Sequence, residues 1–231
     1  MRSWVEDDGV RIYLIETAAL DGEEALDAGT ALDAGEDAVR RIVAEQGITG
    51  PVTLGGNAVD GDHAREALLV GRGYRRVFTM IEMRRDAGFV PASSLPEGFR
   101  VRTATGDDAG ALWRLARRAW AGRAFVSLPS EDRLRDWLRR SDLSTFEVVT
   151  AGDRIAAFAA VVGDEIDDLV VDPDFQRRGL ASVLLSRALT RLGGTARLRT
   201  EAHDPSGART LYERFGFQVT AAHHRYRKPL R

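Results

Sequence analysis

The sequence predicts an α/β (α+β) fold in which a mixed central sheet is flanked by helices, and three observations carry that reading. The runs "TFEVVT", "RIAAFAAVV" and "EIDDLVV" are parted only by the turns "AGD" and "GD", as antiparallel strands with tight connections are. Stretches such as "ALWRLARRAW" and "LASVLLSRAL" repeat apolar residues at helical spacing. Between them, "LVVDPDFQRRGLASVLLSRAL", Leu169 to Leu189, sets a strand, a charged turn and a helix end to end. With 231 residues, 44% of them hydrophobic, the chain can bury an ordinary core in one large domain or two small ones.

A composition shift at "RRDAGFVPASSLPEGF", Arg84 to Phe99, marks a boundary, because prolines, serines and glycines interrupt the periodic segments there. Two unequal parts are expected, residues 1–88 and 98–231. In the first, "GEDAVRRIVAEQG" reads as a helix and "PVTLGG" as a strand. "DHAREALLVGRGY" follows as a helix closed by Gly73, and "RRVFTMIEMRR" as a strand. In the second, "FRVRTA" is a strand whose helix begins among the capping residues Thr105 to Asp108, with Leu112, Leu115, Ala116 and Ala119 on one face. "SEDRLRDWLRR" is a further helix with Leu134, Trp137 and Leu138 inward, and the three strands come next. Leu180, Val183, Leu184, Ala188 and Leu189 give the helix after the charged turn its core face. A strand "TARLRTEA", a short helix ended by Gly216 and the strand "FQVTAAHHRYRKPL" complete the order. Setting Gly73 against Gly216 also aligns Tyr74 with Phe217 and Leu68 with Leu211, which suggests an internal repeat; Leu69 then stands where the second copy has Tyr212.

Composition excludes several kinds of chemistry. No cysteine is present, so disulfides, thiolate metal sites and a cysteine nucleophile are ruled out. A net charge of −2 is unlike the basic footprint of a general nucleic-acid binder, although local basic patches remain open. No apolar run approaches the roughly 20 residues that cross a bilayer, and the start lacks a signal-peptide order, so a cytoplasmic location is expected. His203, Asp204 and Ser206 are too close in sequence for a hydrolase triad. His223 and His224 are adjacent on an expected strand and face opposite sides, so no metal site is expected.

The charged turn is the most informative segment. A helix start offers unsatisfied N–H groups and a positive dipole end, which welcome an anion. In "QRRGLAS", Gly179 allows close backbone approach, Ala181 keeps the next position small, and Arg177 and Arg178 add charge. A solvated turn before an ordinary helix is the plainer alternative. Gln176-Arg177-Arg178-Gly179-Leu180-Ala181 resembles the Gln/Arg-x-x-Gly-x-Gly/Ala signature of the GNAT acyltransferase superfamily, and the preceding strand and the following "ARTLYERFGF" match its neighbouring segments in order. The resemblance covers about Phe99 to Arg231, and faintly the first part.

That resemblance implies a GNAT fold with a smaller, degenerate GNAT-like N-terminal half and acetyl-CoA as co-substrate, without a metal. It implies cofactor contacts from Gln176, Arg177, Arg178, Gly179, Leu180, Ala181 and Ser182 on the pyrophosphate, and from Leu169, Val170 and Val171 along the pantetheine arm. It implies Tyr212 as the acid that protonates the leaving thiolate, with a strand N–H stabilising the oxyanion. The base is less specified. Glu165 lies at a position similar to the glutamate of the family's histone-modifying branch; strict alternation would put Glu165 and Asp167 on the face of Leu169, with Asp168 on the other. These carboxylates suit a solvated turn equally well, and many relatives use no dedicated base. Pro205 departs from the family, standing where an asparagine is common; Asp204 or Ser206 either substitutes for it or belongs to the turn. Trp113, Trp120 and Trp137 are expected in the core or beside the acceptor site, which the connection from about Trp120 to Trp137 covers in the family.

The expected function is therefore acetyl transfer from acetyl-CoA to a primary amine of a small acceptor. Neither nucleic acid nor membrane is expected as a partner, and a homodimer is left open. The alternative from another class is a non-catalytic acyl-CoA sensor or assembly module that kept the cofactor turn.

Overall fold

A computed structural model describes residues 1–5, 10–16, 27–123 and 129–230. The chain forms two compact units, one of residues 1–81 and 221–231, the other of residues 82–220. The proline-rich stretch Arg84 to Phe99 therefore lies within the second unit, and the terminal strand ends in the first.

The first unit contains strands β1 (Arg2–Val5) and β2 (Arg11–Leu14), helix α1 (Ala28–Glu45), strand β3 (Val52–Val59), helix α2 (His63–Gly71) and the start of strand β4 (Arg75–Arg85). β1 pairs antiparallel with β2, and β2 parallel with β3. Helix α1 begins seven residues before the expected "GEDAVRR" start, capped by Asp27, whose carboxylate accepts from the amides of Gly29 at 2.9 Å and Thr30 at 3.2 Å. Gly29 and Gly35, poor helix formers, hide that first turn in the sequence. Leu32, Val39, Val43, Leu54, Leu69 and Tyr74 build the core of this unit.

The second unit holds the elements expected for the larger part. Strand β5 (Phe99–Thr103) leads through a 3-10 turn to helix α3 (Ala109–Ala119), and helix α4 (Glu131–Arg140) follows. Thr105 and Asp108 form a reciprocal capping box at the foot of α3, and Ser130 caps α4. Strands β6 (Glu147–Ala151), β7 (Arg154–Val162) and β8 (Glu165–Val171) then form an antiparallel meander with β5. Their two-residue loops open with Gly152 at φ +57° and Gly163 at φ +61°, the left-handed first position that such hairpins favour. Helix α5 (Leu180–Leu192) crosses to strand β9 (Ala196–Glu201), which runs parallel to β8 and makes the sheet mixed. Helix α6 (Ala208–Arg214) and the start of strand β10 (Gln218–Pro229) close the unit.

Both faces of this sheet are covered. Leu112, Leu115 and Leu138 of α3 and α4 pack with Phe158, Ala160 and Val170. Leu180 and Leu184 of α5 pack with Ala157, Ala159 and Leu169 on the opposite side. The alanines of β7 let helices approach from both directions, which accounts for "AAFAA" in a strand buried over its middle seven residues.

The two units share one local motif. The Tyr74 amide bonds to the Leu69 carbonyl at 3.0 Å, and the Phe217 amide to the Tyr212 carbonyl at 3.1 Å; Gly73 and Gly216 take φ +84° and +86°. Both helices thus end in the same glycine-centred cap at the register that the sequence alignment suggested. Leu69, fully buried against Gly56, occupies the place of Tyr212.

Candidate active site

Between β8 and β9 the sheet parts. Their ladder holds only Glu165 opposite Arg197 and Ile166 opposite Leu198, although β8 continues to Val171 and β9 to Glu201. The Asp172 amide bonds to the Ala156 carbonyl at 2.9 Å on the β7 side. By the alternation of a strand, the amides of Leu169 and Val171 then point to the β9 side, where the ladder has ended.

The charged turn follows at once. Asp172 caps the short turn of Pro173–Phe175 by accepting from the Asp174 amide at 3.0 Å, and Gln176 Nε2 reaches back to the Val171 carbonyl at 3.3 Å. Arg177 takes φ +62°, the only non-glycine at positive φ among the described residues, and Gly179 takes φ +80°. A left-handed arginine costs about 1–2 kcal/mol, so surrounding contacts must impose it. The effect is a row of donors. Among the described residues, none of the amides from Arg177 through Ser182 has an acceptor within the protein, and the first internal bond is Val183 to the Gly179 carbonyl at 3.0 Å. Nothing lies within 4 Å of the position a Cβ would take on Gly179, so the approach to these amides is open.

Residues remote in sequence hold this turn. Arg118 of α3 lies 3.2 Å from Asp172 and 2.7 Å from Asp174, while Arg154 of β7 lies 3.0 Å from Asp174. Arg154 also sits 4.9 Å from the Phe175 ring centre, and Arg178 sits 5.6 Å from it. Behind α5, Glu147 is buried and accepts from Arg187 at 2.8 Å to each oxygen, and from Arg191 at 2.5 Å. Burial raises the Glu147 carboxyl, yet the two guanidiniums outweigh it and hold it below the usual glutamate range. "DPD" was visible in the sequence as an acidic turn, but its arginine partners stand 54 and 18 residues before Asp172 and no spacing rule links them.

Tyr212 on α6 is 93% buried, its ring 6.0 Å from that of Phe217. No described residue bonds to its hydroxyl. Burial, then the charges of Asp204 and Asp168, push its phenol well above the ordinary tyrosine value, so it remains a proton donor at neutral pH. Asp204 is engaged by the Ser206 amide at 2.8 Å, the Ser206 hydroxyl at 2.5 Å and Arg123 at 2.8 Å. Burial works against the Asp204 charge, but Ser206 and Arg123 prevail and its carboxyl is lowered. On either side of Pro205, Asp204 and Ser206 form the turn ahead of α6.

The carboxylates of β8 stand differently from strict alternation. Ala160 opposes Asp168 while Val161 opposes Ile166, so Asp167 is an extra, exposed residue in a β-bulge. Glu165 opposes Val162, two residues along from Ala160; Glu165 therefore shares a face with Asp168 and Val170, and Leu169 faces the other way. The expectation that Glu165 and Asp167 would lie on the face of Leu169 fails because one inserted residue reverses every later side chain. Glu165 is gripped by Arg199 of β9 at 2.9 and 3.0 Å. Asp168 has no ion pair or hydrogen bond among the described residues, and burial, then the Asp167 charge, push its carboxyl up to about 6.

Trp120 and Trp137 pack against the core beneath α3 and α4, and Trp113 donates to the Pro129 carbonyl at 3.0 Å. Part of the connection expected over the acceptor, residues 124–128, lies outside the described residues. Among the described residues no cluster of histidines and carboxylates could hold a metal, and no helix is long and apolar enough to cross a membrane.

A family model described as "Acetyltransferase (GNAT) domain" matches residues 142–219. Among curated proteins, the mycothiol acetyltransferase of Geodermatophilus obscurus is 35% identical, the match covering 68% of this chain and 58% of that protein. The ribosomal protein bS18-alanine N-acetyltransferase of Salmonella typhimurium is also 35% identical, over 52% of this chain and 80% of its own length. Among solved structures, a GCN5-related N-acetyltransferase from Sphaerobacter thermophilus aligns with a TM-score of 0.71 at 22% identity, covering 87% of this chain and 67% of that one. A tandem GNAT protein from the clavulanic acid biosynthesis pathway aligns at 0.60 and 11% identity, covering 96% and 75%. These two likenesses concern the fold. The chain spans less than two thirds of the mycothiol acetyltransferase it matches.

Proposed function

The chain belongs to the GNAT acetyltransferase superfamily, and from that premise we propose that it is an acetyl-CoA-dependent N-acetyltransferase acting on a primary amine of a small acceptor. The observation that carries this reading is the row of unpaired amides from Arg177 to Ser182 at the head of α5, next to the place where β8 and β9 part. Six consecutive donors, two left-handed residues and an open glycine fit a pyrophosphate. Acetyl-CoA would supply the acyl thioester. In this reading Gln176 and Arg177 to Ser182 hold its phosphates, and Leu169, Val170 and Val171 border its pantetheine arm. The Leu169 or Val171 amide steadies the oxyanion, and the buried Tyr212 hydroxyl gives its proton to the departing sulfur.

The division of labour is part of the proposal. The second unit performs the transfer, and the first is a degenerate, non-catalytic copy, because the buried Leu69 offers no hydroxyl where the second has Tyr212. The small acceptor follows the relative named for mycothiol, whereas another relative is named for an alanine of a ribosomal protein.

Calorimetry with CoA and acetyl-CoA, and transfer assays against small amines and peptide N-termini, test this reading. Tyr212→Phe is expected to leave CoA affinity unchanged and to lower kcat by about 10²-fold or more. Absence of CoA binding by the folded protein would overturn it. Tight binding with no transfer to any amine would favour the non-catalytic sensor.

A further inference from the structure

We infer that Asp168 is a catalytic residue of this site, the carboxylate that receives the acceptor as an ammonium ion and takes its proton; the inference rests on the transferase reading above. Three independent features single it out. First, the bulge at Asp167 turns Asp168 onto the face of Glu165 and Val170, at the level where β8 has left β9. Second, Glu165 is already matched to Arg199, and Asp204 to Arg123 and Ser206, while Asp167, bulged out of the ladder, is exposed to water. Asp168 is matched to none among the described residues. Third, Tyr212 is 93% buried with its hydroxyl bonded to no described residue, and after burial and Asp204 the Asp168 charge adds to the rise of its phenol. Asp168 and Tyr212 are thus an acid and a phenol left unpaired by the described residues, and a cationic amine would match the acid.

The proton inventory closes. The ammonium gives one proton to the Asp168 carboxylate, and the freed nitrogen lone pair forms the C–N bond at the thioester carbonyl carbon. As the C–S bond breaks, its electron pair goes to sulfur, which takes the Tyr212 proton; the phenolate recovers a proton from the now cationic nitrogen, leaving a neutral amide. Asp168 then releases its proton to water. Released into water at any pH above about 6, that proton resets the site. Burial and the Asp167 charge set this titration; Glu165, paired with Arg199 of β9, shares the face of Asp168, and the charges of Asp168 and of Asp204, itself paired with Arg123, bear on Tyr212 of α6.

The test is the pH profile of kcat/KM for primary amines from about pH 5 to about pH 9, for the wild type, Asp168→Asn, Asp168→Glu and Glu165→Gln, with CoA calorimetry and thermal melting alongside. In the wild type, activity climbs through about pH 6 and then levels. Asp168→Asn is expected to lose about 10²-fold or more, to keep its CoA affinity, and to go on climbing with pH because only the pre-neutralised amine reacts. Asp168→Glu restores part of the plateau, which a merely structural role would not do. A wild-type profile in Asp168→Asn overturns the assignment while leaving the transferase reading intact, as does loss of the acid limb in Glu165→Gln alone. A wild type that binds CoA but acylates no amine overturns both.

Discussion

Arg187 places both of its hydrogen-bonding nitrogens on the buried Glu147, 2.8 Å to each carboxylate oxygen, and so clamps helix α5 to strand β6. Arg187 lies seven residues into the helix that opens with the amide row, so the contact holds that helix to the sheet. A carboxylate on a strand buried at this point needs cations, and "LSRALTRL" provides two, four residues apart on one helix face.

Glu147→Gln should destabilise the second unit by about 2 kcal/mol at neutral pH, less than for a fully buried pair because both arginines remain partly solvated. Since the folded-state pKa is lowered, this contribution is present above the ordinary glutamate range and is lost as pH falls through the depressed value. Melting curves of both proteins should therefore converge on acidification. A gap that stays constant down to the acid limit would show that the charge of Glu147 is not the source.

Arg118→Met removes one of the two cations, with Arg154, that bridge Asp172 and Asp174 ahead of the turn. CoA affinity is expected to fall by about three- to tenfold with kcat little changed, because the turn loses an anchor while Tyr212 keeps its place. Calorimetry and steady-state kinetics on one preparation separate the two quantities.

Gly179→Ala and Arg177→Gly probe the same backbone in opposite directions. The alanine meets no steric neighbour, so its cost is conformational: φ +80° should charge about 1–2 kcal/mol against the bound geometry and weaken CoA by about tenfold. Arg177→Gly relieves a strained φ and should raise the melting temperature, while CoA affinity falls for want of the guanidinium. Stabilisation without loss of affinity would mean that Arg177 does not meet the ligand.

Much of this was legible in the sequence, where local chemistry dictates structure. Thr105 and Asp108 announced a cap, Gly152 and Gly163 announced hairpins, and Gly73 and Gly216 announced matching helix ends. The bulge was not legible. "EIDDLVV" contains nothing that says Asp167 is surplus to the β7 ladder, since the register of a strand is a property of two segments. That one residue decides which carboxylate accompanies Asp168. The arginine clamps escaped for a similar reason: Arg118, Arg154 and Arg187 look like any of the arginines of an arginine-rich chain until the fold brings them to Asp172, Asp174 and Glu147.

The early separation of β8 from β9 makes an internal edge in the middle of a sheet, a place where main-chain donors and acceptors ask for a neighbour that this polypeptide does not provide. Any slender molecule with amides of its own would be accepted there as a missing strand. Its binding energy would then also be cohesive energy for the sheet, so the molecule that carries the acyl group would double as the keystone of the unit that uses it.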